Sequence, residues 1–364
     1  MMHVDLHCDT LGTHLLQIFS GLYLLQQRGK ITLAVKGGLP LTLARPNRQF
    51  LVLRVAQNKA SRDRTTFLFD LQDSPALGLP DALDHVDFYV KRSLEPSSFH
   101  GLSEVQAKKL IPFGLNYQVV SFSANYFLKI AAAEFFSRPY SPLNKKHNFH
   151  VHNLKDIFDF VVRGKKNNLL SEKELSPSGS AAGNGSVMFQ CRLWEPMGLA
   201  EKNQEDANQI NQSRIELIRS LKTELGERFW GGLQNTAYAR ELAPELIASL
   251  PSVRREYIAR VRKASIVISS AGLLQSNGWK LGEYVALGKC ILSEPIATQL
   301  PGHFAANKNY IAYESAGNCL EIVKSLLDDE ISIASIETEN RRYAQDYLAP
   351  GKLIENILER MNSK

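Results

Sequence analysis

The sequence is poor in cysteine and has no cysteine pairing. Its four cysteines, Cys8, Cys191, Cys290 and Cys319, stand far apart with no CxxC spacing. That argues against a disulfide scaffold or a structural zinc site and fits a reducing compartment. The N-terminus lacks a charged segment followed by an apolar one, so no secretion signal is expected. Long apolar runs are missing too. The most apolar early stretch, Thr10 to Leu25, contains His14 and Gln17 and is too short to cross a bilayer; it reads as an amphipathic or buried helix. There is no solenoid-length repeat, collagenous period or low-complexity tract. Nor is there an RNP-like, zinc-finger or helix-turn-helix signature, so nucleic acid is not an expected partner. The expected location is the cytoplasm.

What remains is an ordinary globular composition. Apolar residues make up 44% and charged residues 22%, values that exclude wholesale disorder. At 364 residues the chain is long for one core and suits two α/β domains. The net charge of +6 is unevenly spread: nine Lys/Arg residues and one acid, Asp63, lie between Arg28 and Arg64. Such a stretch attracts phosphorylated ligands or an anionic membrane, or is simply a solvated basic face. Peripheral contact with the inner face of a membrane is therefore an expectation alongside the bland reading.

Buried strand-like and helix-like segments alternate along the chain. LLQIFSGLYLLQQ reads as a helix; ITLAV, LVLRVAQ, TTFLFD and DFYVKRS read as strands. This alternation points to open, largely parallel sheets. From Arg163 to Ser186 the composition turns to Lys, Asn, Ser and Gly, as in an exposed linker. Alternation then resumes with VMFQCRLW, a helix from Asn208 to Leu225, FWGGL, ASIVIS, CILSE and NYIAY. The expected organisation is an N-terminal domain over 1–175, a C-terminal domain over 176–340, and a helical tail over 341–364 that crosses back to the first domain.

The strongest chemical signal is KASIVISSAGLLQSNGWKLGEYVALGKCILSEPI: strand, Gly/Ser/Asn loop, helix, Gly-Lys turn, strand. A loop at a strand's C-terminal edge that opens a helix presents backbone N–H groups and a positive dipole end to an anion such as a diphosphate. Glu283 is expected in the first turn of that helix, where a carboxylate can accept from a ribose diol, with Lys280 offering a cation to phosphate.

The segment resembles the donor-binding region of GT-B glycosyltransferases, through Glu283, Ala286, Gly288 and Ile291-Leu292, over about residues 187–362. The resemblance implies an α/β GT-B fold: two Rossmann-like domains with parallel sheets facing across a cleft. It also implies a nucleotide-sugar co-substrate, with no other cofactor and no metal, and Glu283 on the nucleotide ribose. Arg192 matches a basic residue placed near the donor phosphates. Gly272, Gln275 and Asn277 complete the expected donor set. Many retaining members carry two glutamates eight positions apart; Gln275 takes the first position here, which tilts the expectation towards inversion.

In the first half, polar groups follow predicted strands: Asp5, His7 and Asp9 in HVDLHCDT, Asp70 and Asp73 in FDLQDS, Lys91 and Arg92 in YVKRS, and Asn116 after PFGLNY. Strand C-termini of a parallel sheet converge on one edge, and an Asp there can take a proton from an acceptor hydroxyl. Asp70, Asp73 and Asp9 are the candidates for that base, Asp70 first because it directly ends a buried strand. His7, Lys91, Arg92 and Asn116 are candidates for the acceptor or phosphate side. Strand-end capping explains Asp70 and Asp73 almost as well. FDLQDS, YVKRS and PFGLNY also resemble segments of bacterial surface-polysaccharide glycosyltransferases. That resemblance implies a glycan or lipid-linked acceptor.

Two alternatives stand beside this reading. HVDLHCDTL resembles the metal motif of TIM-barrel dipeptidases, with His and Asp alternating along a strand. Such a hydrolase needs further histidines late in the chain, and His303 is the only one after His152. The other alternative is a non-catalytic, glycosyltransferase-like carbohydrate-binding subunit.

Overall fold

The computed structural model describes residues 1–8, 12–40, 49–137, 158–159, 169–177, 185–248 and 253–363. Asp9 and most of the segment from 157 to 162 lie outside the described residues. The strands are β1 (Met2–Cys8), β2 (Ile31–Gly37), β3 (Phe50–Ala56), β4 (Thr65–Asp70), β5 (Phe88–Lys91), β6 (Leu110–Pro112), β7 (Val187–Cys191), β8 (Phe229–Leu233), β9 (Ile266–Ser269), β10 (Cys290–Ser293) and β11 (Ile311–Ala312). The described α-helices are α1 (Leu16–Gln27), α2 (Glu104–Ala107), α3 (Ala124–Ser137), α4 (Gln204–Leu225), α5 (Ala237–Leu242), α6 (Arg254–Lys263), α7 (Trp279–Ala286), α8 (Ala316–Leu327), α9 (Glu330–Tyr343) and α10 (Pro350–Leu358).

The chain forms two compact α/β units, each built on a parallel-rich sheet. One comprises Met1–Glu174, Gln299–Pro301 and Asp346–Lys364; the other comprises Leu175–Thr298 and Gly302–Gln345.

The sheet of the first unit has the order β2-β1-β3-β4-β5-β6. It departs from a purely parallel sheet in one strand: β3 runs antiparallel to both β1 and β4. The other five strands share one direction. Alternation along β1 sends Val4, Leu6 and Cys8 into the core with α1, and His3, Asp5 and His7 to the opposite face. Asp5 and His7 therefore lie within the strand rather than after it. Helix α10 packs on α1 so closely that a Cβ on Gly21 would overlap the Pro350 carbonyl. Part of the stretch expected to be an exposed linker is packed. Leu169 and Leu170 are buried, and Val120 N–H donates to the Leu170 carbonyl at 3.0 Å. The few leucines in an otherwise polar segment find the core even where composition reads as linker.

The sheet of the second unit is wholly parallel, in the order β11-β10-β9-β7-β8. NYIAY contributes only the two residues of β11 to it. Helices α4 and α8 share a core with Val187, Phe189, Ile266, Ile268 and Leu292. Helix α7 covers the other face, to which alternation points Met188, Val267 and Ile291, and α6 meets α7 through Tyr257 and Tyr284. In order of appearance the strands run 5-4-3-1-2, the doubly wound pattern whose helices change face between its first and third strands. The loops that leave β7 and β9 at their C-terminal ends thus diverge to opposite faces, and a crevice between such loops is where open α/β sheets bind ligands.

Candidate functional site

Helix α4 reaches the β7/β9 switch point with an arginine. Its buried positions, Ala207, Asn211, Arg214, Leu217, Ile218, Leu221 and Leu225, lie along one stripe at helical spacing. Arg214 therefore occupies a core-facing position and needs hydrogen-bond partners there. It finds three. Nη1 donates to the Arg192 carbonyl at 2.6 Å, Nη2 to the Ala271 carbonyl at 2.8 Å and Nε to Ser270 Oγ at 3.1 Å. One side chain thus ties the loop after β7 to the loop after β9. Ala271 N–H in turn donates to Glu294 Oε2 at 2.6 Å, bringing in the loop after β10. Beside Arg214 lies a cavity of about 140 Å³ whose walls include Ser270, Glu294, Tyr313 and Ser315.

Helix α7 approaches from the opposite face. Lys280 Nζ donates to the Gln190 carbonyl in β7, and its ammonium lies 5.0 Å from the centre of the Tyr257 ring. Burial pushes the Lys280 ammonium below its ordinary range. Glu283 is the fifth residue of α7, not a first-turn residue as expected, because the helix starts at Trp279. It is buried, and Oε1 accepts from Arg254 Nε at 2.9 Å and Nη2 at 2.6 Å. The Arg192 side chain is exposed on the β7 loop, while its main chain is fixed by Arg214.

The loop between β9 and α7 is strained. Leu274 and Gln275 both have left-handed backbones, with φ of 57° and 55°. Such conformations in non-glycine residues cost about 1–3 kcal/mol each and collect where function requires a particular loop shape. The loop is held by Gly272 N–H to the Ser276 carbonyl at 2.9 Å and by Leu274 N–H to Asp206 Oδ2 of α4 at 2.8 Å. Asn277 Nδ2 donates to Thr298 Oγ1.

In the first unit, the ends of β4, β5 and β6 bring a second polar group together. Asp70 is completely buried. Its Oδ2 accepts from Tyr89 Oη at 2.8 Å and Gly78 N–H at 2.9 Å; its Oδ1 accepts from Gln72 N–H at 3.1 Å and pairs with Lys91 Nζ at 3.3 Å. Lys91 is fully buried as well and also donates to the Gln72 carbonyl. Burial holds its ammonium below the ordinary range despite the pull of Asp70. This is the arrangement of an anchor for the loop after β4. Asp73, by contrast, has a side chain 53% exposed and pairs with the buried Arg92.

Arg92 Nη1 also lies 3.1 Å from His14 Nδ1. Burial, and then the Arg92 charge, drive the His14 pKa down to about 4, so the imidazole is neutral at pH 7. Asn116 donates through Nδ2 to the His14 carbonyl at 3.1 Å and to Gln17 Oε1 at 3.2 Å. His7 stands apart on the outer face of β1. Burial and the neighbouring Lys36 and Arg54 keep it below its ordinary pKa. On the same face, burial works against the ionised form of Asp5, but hydrogen bonding and charge from Lys36 outweigh it and leave the carboxyl below its usual range. Among the described residues, no three His, Cys, Asp or Glu side chains gather closely enough to hold a metal ion.

The structure thus gathers Arg192, Lys280, Gly272 and Gln275 around the switch point, with Glu283 one turn further along α7. It gathers Asp73, Arg92 and Asn116 at the edge of the first sheet. His7 is in neither group. Arg214, Glu294 and His14 are site residues that the motifs did not reveal. The signal for Arg214 was a cation at a core-facing position of an amphipathic helix.

No family model matches the sequence, and no curated protein matches it. Among solved structures the chain is similar to a glycosyltransferase from Rickettsia africae, at 13% identity and a TM-score of 0.39 over 77% of this chain and 65% of that one. It is also similar to HepE from Anabaena in complex with UDP, at 12% identity and a TM-score of 0.36 over 82% of this chain and 99% of that one. A third is sucrose-phosphate synthase from Thermosynechococcus elongatus, at 11% identity and a TM-score of 0.37 over 76% of this chain and 68% of that one. At TM-scores this low the likeness carries no weight for chemistry, which the residues themselves must supply. Among the described residues no helix is long and apolar enough to cross a membrane.

Proposed function

We propose that this protein is a GT-B glycosyltransferase that moves a sugar from a nucleotide-sugar donor to a hydroxyl of a glycan or lipid-linked acceptor. The observation that carries the reading is the β7/β9 switch point. There Arg214 ties together the loops that leave the first and third strands, and Lys280 meets the end of the first strand, at the Gln190 carbonyl, from the opposite face of the sheet. A nucleoside diphosphate is the ligand such a crevice suits, with cations beside it to neutralise a departing diphosphate. In this reading Arg192 and Lys280 face the phosphates and Glu283 takes the ribose, while Gly272, Gln275 and Asn277 shape the donor loop.

The acceptor-side duty belongs to the first unit's edge. A base must come within hydrogen-bond reach of the acceptor hydroxyl. Asp70 has no exposed surface and four donors around it, so the base is not Asp70 but the accessible Asp73, with Arg92 and Asn116 fixing its surroundings. Inversion without a metal fits an accessible carboxylate at Asp73 and Gln275 in place of the first glutamate of the pair. The basic stretch before Arg64 suits contact with an anionic membrane that presents a lipid-linked acceptor.

The test is a thermal-shift screen of the whole protein against UDP-, GDP-, CMP- and dTDP-sugars, followed by assay of donor turnover. A ligand that binds only the folded state raises its apparent stability. A raised melting temperature with one nucleotide class, and release of the nucleotide that carried the sugar, is the expected result. No shift with any of the four classes rejects the reading.

A further inference from the structure

Glu283 and Lys280 sit three residues apart on α7, and both are met by side chains of α6. Arg254, the first residue of α6, places two N–H groups on Glu283 Oε1, at 2.9 and 2.6 Å. Three residues on, Tyr257 lies under the Lys280 ammonium, and its hydroxyl meets Tyr284 Oη at 2.6 Å. Residues three apart on a helix share a face, so one face of α6 braces both polar residues of α7. Neither bond from Arg254 uses Oε2 of Glu283. The carboxylate is nearly buried, with its side chain 7% exposed, and the Arg254 side chain is 14% exposed. A guanidinium that donates two N–H groups to one carboxylate oxygen fixes the orientation of that carboxylate.

We infer that Arg254 is a positioning residue that clamps Glu283 through Oε1 and presents Oε2 to a ribose hydroxyl, making the site selective for ribonucleotides over deoxyribonucleotides. The inference rests on the proposed nucleotide-sugar function and adds to it the residue that sets sugar recognition in the nucleotide. A freely rotating Glu283 would still contribute its charge but would not present one oxygen along a fixed direction. Selectivity for the hydroxyl, rather than overall affinity, is what the clamp provides. The guanidinium matters in particular: Lys at 254 keeps the charge but cannot approach one oxygen with two N–H groups in a rigid fork.

The experiment is calorimetric titration of the full chain with UDP, GDP and their 2′-deoxy counterparts, for the native protein, Arg254→Ala and Arg254→Lys, with circular dichroism to verify folding. The native protein should bind the ribonucleotide of its preferred base roughly tenfold or more tightly than the deoxyribonucleotide, the scale of one hydrogen bond to a charged group. In Arg254→Ala that ratio should fall to within about twofold of unity while deoxyribonucleotide affinity changes little. Arg254→Lys should fall between the two and serves as the readout should the alanine variant fail to fold. A general loosening of the site would weaken both ligands equally and leave the ratio intact, and that result overturns the clamp. A native protein that binds neither UDP nor GDP overturns the clamp, and the nucleotide-sugar reading falls with it only where the thermal-shift screen is negative for all four donor classes; one that binds them with an unchanged ratio in both variants overturns the clamp alone.

Discussion

Arg214 donates to the main-chain oxygen of Arg192 over 2.6 Å, so a buried helix residue fixes the backbone of an exposed loop residue. The same guanidinium bonds Ala271 and Ser270 on the loop after β9. Removing it leaves two carbonyls and a hydroxyl without their donor in a largely buried position. Arg214→Ala should lower stability by about 2–4 kcal/mol in urea unfolding, since hydrogen bonds to charged groups contribute about 1.5–3 kcal/mol and do not add fully. It should also weaken nucleoside diphosphate binding, although Arg214 itself need not touch the ligand. Arg192→Ala, at an exposed side chain, should weaken binding with stability unchanged within about 0.5 kcal/mol. Equal stability loss in the two variants contradicts the assigned division of labour.

Asp70 and Asp73 stand three residues apart and should respond oppositely to the same change. Asp70→Asn breaks a buried ion pair and leaves Lys91 without its carboxylate, a loss of about 3–5 kcal/mol. Its remaining activity should track the folded fraction. Asp73→Asn alters a side chain 53% exposed and should cost at most about 1 kcal/mol, yet abolish sugar transfer with donor affinity retained. Parallel measurement of melting temperature, donor affinity and turnover separates the two. A stable Asp70→Asn without turnover returns the base to Asp70.

The contrast between these two carboxylates shows what the sequence made legible. TTFLFD announced a buried strand ending in Asp70, and it is one. Nothing in the string said that Tyr89 and Lys91, about twenty residues on, would close over that carboxylate, because strand pairing brings them together only in the folded sheet. The parallel sheet of the second unit was readable from apolar runs separated by turn residues. The reversal of β3 was not, since an apolar run has no direction. Glu283 was singled out in the sequence through its spacing from Ala286 and Gly288. Its place in the helix was misjudged because Trp279 and Lys280 carry no cap signal, and its partner Arg254 lies 29 residues away. Leu169 and Leu170 were hidden by their neighbours: a window average over Lys, Asn and Ser concealed two side chains that pack.

His14 gives the protein a specific acid sensitivity. Its folded pKa of about 4 lies below its ordinary 6.5, with burial the larger cause and Arg92 the next. The unfolded chain therefore takes up this proton first as pH falls. Stability from this group is intact above about pH 6.5 and is lost progressively down to about pH 4. His14→Gln removes the titration, so the variant should lose less stability than the native protein between pH 6.5 and 4.5, by up to about 2–3 kcal/mol. Urea unfolding at several pH values checks it. Identical slopes in the two proteins would mean that His14 titrates normally in the fold.

Lys280 is the residue whose loss should be read most directly in the ligand. Its ammonium is partly desolvated, stacked against Tyr257 and bonded to the end region of β7, so its charge is fixed where the switch-point loops diverge. A charge held in place interacts with phosphate without first being ordered, and its contribution should scale with the negative charge the ligand brings. Lys280→Met keeps most of the stem that packs on Tyr257 and removes only the cation. Binding of the nucleoside diphosphate should fall roughly tenfold to a hundredfold, the range of one charged hydrogen bond, while the unphosphorylated nucleoside should bind with unchanged affinity. Increasing ionic strength should weaken the native protein's diphosphate binding more than the variant's, because only the native protein has the screened interaction to lose. Calorimetry with nucleoside, monophosphate and diphosphate of one base, at two salt concentrations, reads both effects. A uniform loss across all three ligands would assign Lys280 to supporting the β7 backbone rather than to phosphate.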